Sequence, residues 1–300
     1  MKHFYSHGKL LLTSEYLVLD GALALAIPTK FGQHLTVKEI DEPYIIWESL
    51  DNNGCVWFTS EFSIKNNQVA LTSESNEFSE RLLQILTAVE KLNPNFLGNH
   101  GFKVSTSLDF PRDWGLGTSS TLINNIAQWA SIDAYQLLEL TFGGSGYDIA
   151  CAQHSSPITY QLNNPRHVTP VTFNPPFKEQ LYFVYLNRKQ NSRESISTYR
   201  KKNITPSDIE KATDLTQRII ACQEFGIFCR LMDEHEDFIG HILKVKPVKE
   251  RLFPDFSGSI KSLGGWGGDF ILVASKDHPK AYFKSKGFET IIPYAEMTLN

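Results

Sequence analysis

The segment Pro111–Thr121, PRDWGLGTSST, constrains this chain more than any other stretch of it. Glycines at 115 and 117 precede four hydroxyl residues, Thr118, Ser119, Ser120 and Thr121, and the apolar pattern LINNIAQWA of a helix follows at once. Glycine reaches backbone conformations that a Cβ resists and lets main chain approach a ligand closely. The first turn of a helix carries N–H groups without intrahelical partners and the positive end of the helix dipole, so an anion is favoured there. Two readings fit the segment about equally: a helix capped by Ser or Thr after a turn, or a phosphate cradle whose hydroxyls serve phosphate oxygens or a Mg²⁺ ion. It is not a Walker loop, because no Gly-Lys-Ser or Gly-Lys-Thr follows the glycines.

The rest of the chain sets the class of protein in which that segment works. Its 300 residues accommodate one large domain or two ordinary ones, and 41% hydrophobic with 21% charged residues is ordinary for a globular protein. A formal net charge of -4 leaves no basic footprint, so nucleic acid is not an expected partner. Cys55, Cys151, Cys222 and Cys229 show no CxxC pair or metal-ligand spacing and read as reduced, mostly packed thiols of a cytoplasmic protein. MKHFYSHGKLLL lacks the apolar core of a signal peptide, and YLVLDGALALAIP is interrupted by Asp20 and Gly21 and too short to span a bilayer. No membrane partner is expected.

Patterning predicts strands at KLLLT, YLVLDG, HLTVKEI, IIWES, CVWFTS and VALTS, then a helix over NEFSERLLQILTAVEKL that stops at Asn93-Pro94. GFKVSTSLDFP reads as a strand, and DAYQLLELTF as a short helix closing at Gly143-Gly144. The Asn- and Pro-rich stretch from Asn163 to Pro176 suggests a boundary between domains 1–170 and 171–300. Beyond it come a buried-looking strand, QLYFVYL, two helical patterns near 206–225 and 226–245, and a Gly-rich turn feeding a strand in GSIKSLGGWGGDFILVAS. Strands and helices mix in no regular βαβ order, which implies an α+β fold.

Three further stretches carry candidate chemistry. GGSGYDIA puts Asp148 in a Gly/Ser-rich turn, where it either reaches a cleft or is an ordinary turn aspartate. SLGGWGGDF sets Gly264, Gly265, Gly267 and Gly268 ahead of a strand, where backbone can lie against a ligand or pack tightly. Lys9 enters an apolar strand, and needs a partner or a place on a strand edge. His235 and His241, in DEHEDFIGH, have the wrong spacing for a zinc pair on one helix face and read as an exposed polar face. Trp47, Trp57, Phe58, Trp114 and Trp129 form no stripe that calls for a cofactor.

Taken in order, the lysine strand, the GLGTSS loop, the Gly-Ser-Gly-x-Asp turn and the final Gly-rich loop resemble the GHMP kinase superfamily over nearly the whole chain. GKLLLTSEYLVLDGALALA is similar to the openings of its mevalonate and phosphomevalonate kinase branch, and GGWGGD to the GAGGGD form found in the latter. The chain departs from the branch at His7-Gly8-Lys9 and Ser14-Glu15-Tyr16, and FGGSGYD is shorter than the corresponding mevalonate kinase turn. The resemblance implies a two-domain GHMP kinase fold, with an N-terminal domain of the ribosomal protein S5 domain 2-like type and a ferredoxin-like C-terminal domain.

It also implies an ATP- and Mg²⁺-dependent kinase acting on a small-molecule acid such as mevalonate or phosphomevalonate. The alternative is a fold relative that binds nucleotide or a small acid without transfer, or a kinase for another metabolite; a homodimer is compatible with either. By that resemblance Gly115, Leu116, Gly117, Thr118, Ser119 and Ser120 hold the ATP phosphates, Ser119 and Glu139 hold the metal, and Gly264, Gly265, Gly267 and Gly268 wall the site. Asp148 takes the proton of the attacking oxygen, with Lys9 beside it. Trp266 would add bulk where nucleotide or acceptor passes, and Arg188, Lys189 and Arg193 either meet an acidic acceptor or form a solvated basic run.

Overall fold

The computed structural model describes residues 1–66, 68–98, 100–190 and 192–299, with the side chains of Ser192 and Arg193 left aside. The chain forms two compact units, and neither is one continuous segment. The first takes residues 1–8, 31–112 and 117–153; the second takes 9–30, 113–116 and 154–300, including the whole Asn- and Pro-rich stretch.

In the first unit, β2 (Ala24–Ile40) pairs antiparallel with β6 (Gly101–Leu108) in the register Gln33↔Leu108 to Ile40↔Gly101. β3 (Tyr44–Leu50) lies parallel to β6, and β4 (Val56–Lys65) and β5 (Gln68–Leu71) extend the sheet antiparallel. β1 (Lys2–Leu11) pairs with β2. Along β3 the residues Ile45, Trp47 and Ser49 are buried while their neighbours face outward, the period of two expected of a sheet covered on one side. The cover includes α1 (Glu77–Leu92), α2 (Thr118–Ala130) and α3 (Ala134–Thr141). α1 starts in a capping box of Asn76 and Ser79 and turns Leu82, Ile85, Leu86 and Val89 into the core with Leu35, Val37, Trp47 and Phe62.

In the second unit, β10 (Ser259–Ser262), β11 (Phe270–Ala274), β9 (Leu181–Tyr185) and β12 (Ile291–Pro293) form an antiparallel sheet in that order. Every residue of β9 and β11 is buried, which is why both read as uninterrupted apolar runs. The long helices are α6 (Pro206–Ala221) and α7 (Phe225–Leu243). Short strands at Ile158–Gln161 and His167–Pro170 make a ribbon that begins on residues 24–26 of β2.

The α+β class predicted from the strand and helix pattern is the observed one. Three local expectations are not met. YLVLDG holds a 3₁₀ turn, Leu17–Asp20, rather than a strand, because Tyr16 and Gly21 at its ends have φ of 66° and 91° and bend the backbone back on itself. Asp148 does not sit in a turn but in the first turn of α4 (Tyr147–Gln153). DEHEDF is no exposed face: His235 and Glu236 are both buried in α7.

Candidate functional site

The glycine–hydroxyl segment behaves as an open helix start. Gly117, with φ 94°, is the N-cap of α2, and no side chain caps the helix. The hydroxyls that would cap it turn back instead: Ser120 Oγ donates to the Gly117 carbonyl at 2.8 Å and Thr121 Oγ1 to Gln33 Oε1 at 2.8 Å. The first i to i−4 bond is Thr121 N–H to Gly117 O at 3.0 Å, so the amides of residues 118–120 precede the helical ladder. Ser119 is exposed beside them. Of the two sequence readings, the Ser/Thr cap is not the observed one. α2 itself is held from behind by a buried polar lattice, in which Asn125 Nδ2 donates to Gln33 O at 2.8 Å, and Ser6 Oγ donates to Asn125 Oδ1 at 2.7 Å while accepting from Asn124 Nδ2 at 2.8 Å.

The same unit carries Asp148 and Glu139. Asp148 is partly exposed at the start of α4, its Oδ1 accepting the Ile149 N–H at 3.1 Å, and α4 is tied to α2 by Gln153 Nε2 donating to Asn124 Oδ1 at 3.1 Å. Glu139 is on the exposed face of α3. Ser119 and Glu139 supply hard oxygen donors of the kind Mg²⁺ takes alongside nucleotide phosphates. Among the described residues no three His, Cys, Asp or Glu side chains converge as a metal site. Arg112, just before the glycine segment, lies 3.4 Å over the ring of Trp57.

The second unit holds residues 113–116 firmly. Lys9 Nζ donates to the Gly115 carbonyl at 2.9 Å, and Lys9 N–H to the Leu116 carbonyl at 2.9 Å. Tyr185 Oη donates to the Asp113 carbonyl at 3.0 Å, and Trp114 sets its ring edgewise on Phe270. Gly115, at φ 69°, has its Cα against the Asp269 carboxylate, where a Cβ would overlap it. Asp269 was not singled out from the sequence, although it ends the glycine run. Its Oδ1 accepts the Gln190 N–H at 3.1 Å. Burial raises its carboxyl above the usual range, against the pull of Lys9. Lys9 is thus neither idle nor an edge-strand charge.

The loop 264–268 packs on the segment 188–190: a Cβ on Gly265 would meet Gln190 Cγ, and one on Gly268 the Arg188 carbonyl. The side chains of Arg188 and Lys189 are exposed, Lys189 acting on Asp269, whereas the side chain of Arg193 lies outside the described residues. Trp266 corrects the sequence expectation. It is buried, with its indole 3.5 Å from where a Cβ on Gly240 of α7 would lie, so its bulk fills the interior rather than a ligand path.

Beneath this loop is a charged cluster that the sequence did not disclose. Glu15 and Lys261 pair with no more than 1% of either side chain exposed, and Lys261 Nζ also donates to the Ser262 carbonyl at 2.9 Å. Burial pushes the Glu15 carboxyl up to about 7 even though Lys261 pulls it down. His235 Nε2 accepts the Ser14 N–H at 2.9 Å, and burial, with Lys261 nearby, holds the ring neutral well below its ordinary pKa. Glu236 accepts from Ser262 N–H, Ser262 Oγ and Val248 N–H. Ser14 adopts φ 59°, and its hydroxyl donates to the Leu23 carbonyl at 2.7 Å. The available signal was that His235 and Glu236 stand three or four residues from the apolar Leu231, Met232 and Ile239 along α7, on the buried face.

No protein-family model matches the chain, and no curated protein matches it in sequence. Solved structures do. The chain is similar to the mevalonate kinase of Methanococcus jannaschii, with a TM-score of 0.73 at 14% identity, covering 100% of this chain and 98% of that one. It is similar to the phosphomevalonate kinase of Streptococcus pneumoniae, solved with phosphomevalonate and AMPPNP, with a TM-score of 0.70 at 14% identity over 100% and 98% of the two chains. It is similar also to the galactokinase of Lactococcus lactis, solved with galactose, with a TM-score of 0.63 at 11% identity over 95% and 88%. At these identities the likeness is one of fold, and that fold is shared with solved mevalonate kinase, phosphomevalonate kinase and galactokinase structures.

Proposed function

We propose that this chain, which has the GHMP kinase fold, transfers the γ-phosphoryl group of ATP to a small acid of the mevalonate or phosphomevalonate type. The observation that carries this reading is the start of α2: Gly115 and Gly117 in left-handed conformations, an uncapped first turn, and an exposed Ser119. Such a terminus binds phosphate oxygens through backbone N–H groups without needing a lysine after the glycines. ATP supplies the phosphoryl group, and Mg²⁺ offsets the charge on its phosphates.

The chain's own residues then do three things. The amides at 118–120 orient the phosphates, with Ser119 and Glu139 as oxygen ligands for the metal. Asp148 accepts the proton of the attacking oxygen, and Lys9 offers positive charge as that oxygen attacks. Lys9 holds the Gly115 carbonyl and the Asp269 carboxylate packs where a Cβ on Gly115 would lie, so the glycine segment keeps its shape as phosphate enters and leaves.

The test is to incubate the protein with Mg-ATP and each of mevalonate, phosphomevalonate and galactose, and to follow ADP. Turnover with one of the two isoprenoid acids supports the reading. ATP binding without turnover on any of them favours the binding-only alternative, and ATP affinity that survives Ser119→Ala unchanged removes Ser119 from the site.

A further inference from the structure

On the first unit, β1 and β2 bring two imidazoles together edge to edge: His3 Nε2 lies 3.1 Å from His34 Nδ1, with ring centroids 5.1 Å apart and planes tilted by 34°. The outer nitrogen of each ring is also held. His3 Nδ1 is 3.1 Å from Thr36 Oγ1, and His34 Nε2 is 3.3 Å from Asp109 Oδ1. Asp109 is steadied in turn by Tyr5, whose hydroxyl donates to Oδ2 at 2.9 Å and whose ring packs on His34 with centroids 4.6 Å apart. None of these residues belongs to the machinery assigned above.

The proton placement follows from the partners. The Asp109 carboxylate accepts, so His34 carries its proton on Nε2 and turns the lone pair of Nδ1 toward His3. The hydroxyl of Thr36 both donates and accepts, so His3 has two neutral forms. With its proton on Nε2, His3 donates to His34. With its proton on Nδ1, it donates to Thr36 and points a second lone pair at the first. Those lone pairs converge across 3.1 Å, near the separation of about 3.3 Å between two nitrogens bound at about 2.0–2.1 Å in a tetrahedral centre. Histidine ligands are characteristically oriented by a carboxylate or another polar group on the far nitrogen, which is the arrangement here.

We infer that His3 and His34 form a two-histidine site for a divalent transition metal ion of the zinc or nickel class, oriented by Asp109 and Thr36. Imidazole suits these ions and not Mg²⁺ or Ca²⁺, so the site is chemically separate from the oxygen donors Ser119 and Glu139. On binding, the hydrated ion exchanges waters for the two nitrogens, the His3 proton passes from Nε2 to Nδ1, and solvent fills the remaining positions. No net proton is released between the two neutral rings and nothing is oxidised. The bound ion staples the first strand of the chain to β2.

The experiment is a Zn²⁺ titration of the full chain, carrying Cys55→Ser to remove the exposed thiol, by calorimetry and by NMR of the imidazole rings. The expected result is one equivalent bound, with the ring signals of His3 and His34, out of nine histidines, shifting first. His3→Gln and His34→Gln each abolish that equivalent, and Asp109→Asn weakens it by about 10–100-fold. Zn²⁺ raises the midpoint of thermal unfolding in the parent and not in the two histidine variants. Binding that persists in either histidine variant, or a first equivalent that shifts other rings, overturns the site. The NMR readout on the unsubstituted rings decides the matter even if a variant fails to fold.

Discussion

The carboxylate of Glu15 and the ammonium of Lys261 pair where solvent does not reach, one beside the left-handed Ser14 and the other at the base of the loop 264–268. The attraction between two charges in a core repays their desolvation only when the remaining hydrogen-bonding atoms also find partners. Here Ser262 and Glu236 extend the network, while Glu15 Oε2 has no hydrogen bond and lies 3.6 Å from His235 Nε2. The pair therefore joins the turn after β1 to the glycine loop at a cost that its neighbours only partly offset.

Removing one partner is expected to be costly. Lys261→Met leaves Glu15 buried and uncompensated, a change worth about 3–5 kcal/mol. Lys261 pulls the Glu15 carboxyl down to about 7 in the parent; without it the variant holds the proton to higher pH, so its stability goes on falling above 7 and the loss is larger at pH 8 than at pH 6. The double variant Glu15→Met with Lys261→Met recovers most of it. Urea unfolding of the three proteins at both pH values measures this, and equal losses at the two values contradict it.

Glu15 and His235 pull stability in opposite directions with pH. Unfolded Glu15 releases its proton near 4.5 and the folded one holds it to about 7, so in that window the folded state binds more protons and stability falls as pH rises. His235 stays neutral when folded, whereas the unfolded chain takes up a proton below about 6.5, so stability falls as pH drops. Each slope reaches at most about 1.4 kcal/mol per pH unit, and they oppose each other between 4.5 and 6.5. Compared with the parent, His235→Gln is expected to lose stability more steeply as pH rises through that window, and Glu15→Gln as pH falls. Variant profiles parallel to the parent's rule this out.

Gly115 is irreplaceable for two separable reasons. Its φ of 69° strains any side chain, at about 1–2 kcal/mol, and a Cβ would overlap the Asp269 carboxylate. Gly115→Ala is expected to cost more than the backbone share alone. In an Asp269→Ala background the additional part disappears. Strictly additive unfolding energies for the two substitutions remove Asp269 as the neighbour that matters.

Asp148→Asn tests the proposed proton acceptor. Turnover is expected to fall by about 10²–10⁴, with nucleotide affinity unchanged because the proposed phosphate contacts are the amides at 118–120 and not Asp148. Steady-state rates with a fluorescent ATP analogue titration separate the two quantities. A rate within a few-fold of the parent's excludes Asp148 from proton transfer.

Much of this molecule is written locally. The 3.6-residue pattern of NEFSERLLQILTAVEKL, its cap and its stop at Asn93 yield α1 as read, and the apolar run LYFVY is the fully buried β9. The glycines and hydroxyls at 115–120 mark a helix start open to an anion because glycine conformation and unpaired first-turn amides are properties of adjacent residues. No helix among the described residues is long and apolar enough to cross a membrane.

What the sequence could not decide are matters of which distant atoms meet. Glu15 finds Lys261, Gly115 finds Asp269, His3 finds His34, and Trp266 turns inward against Gly240. In each case the same residue types in the same local pattern serve equally as solvated surface. Burial and pairing are set by long-range packing, whose free energy no local window contains, so DEHEDF reads as an exposed face although His235 and Glu236 lie on the buried side of α7.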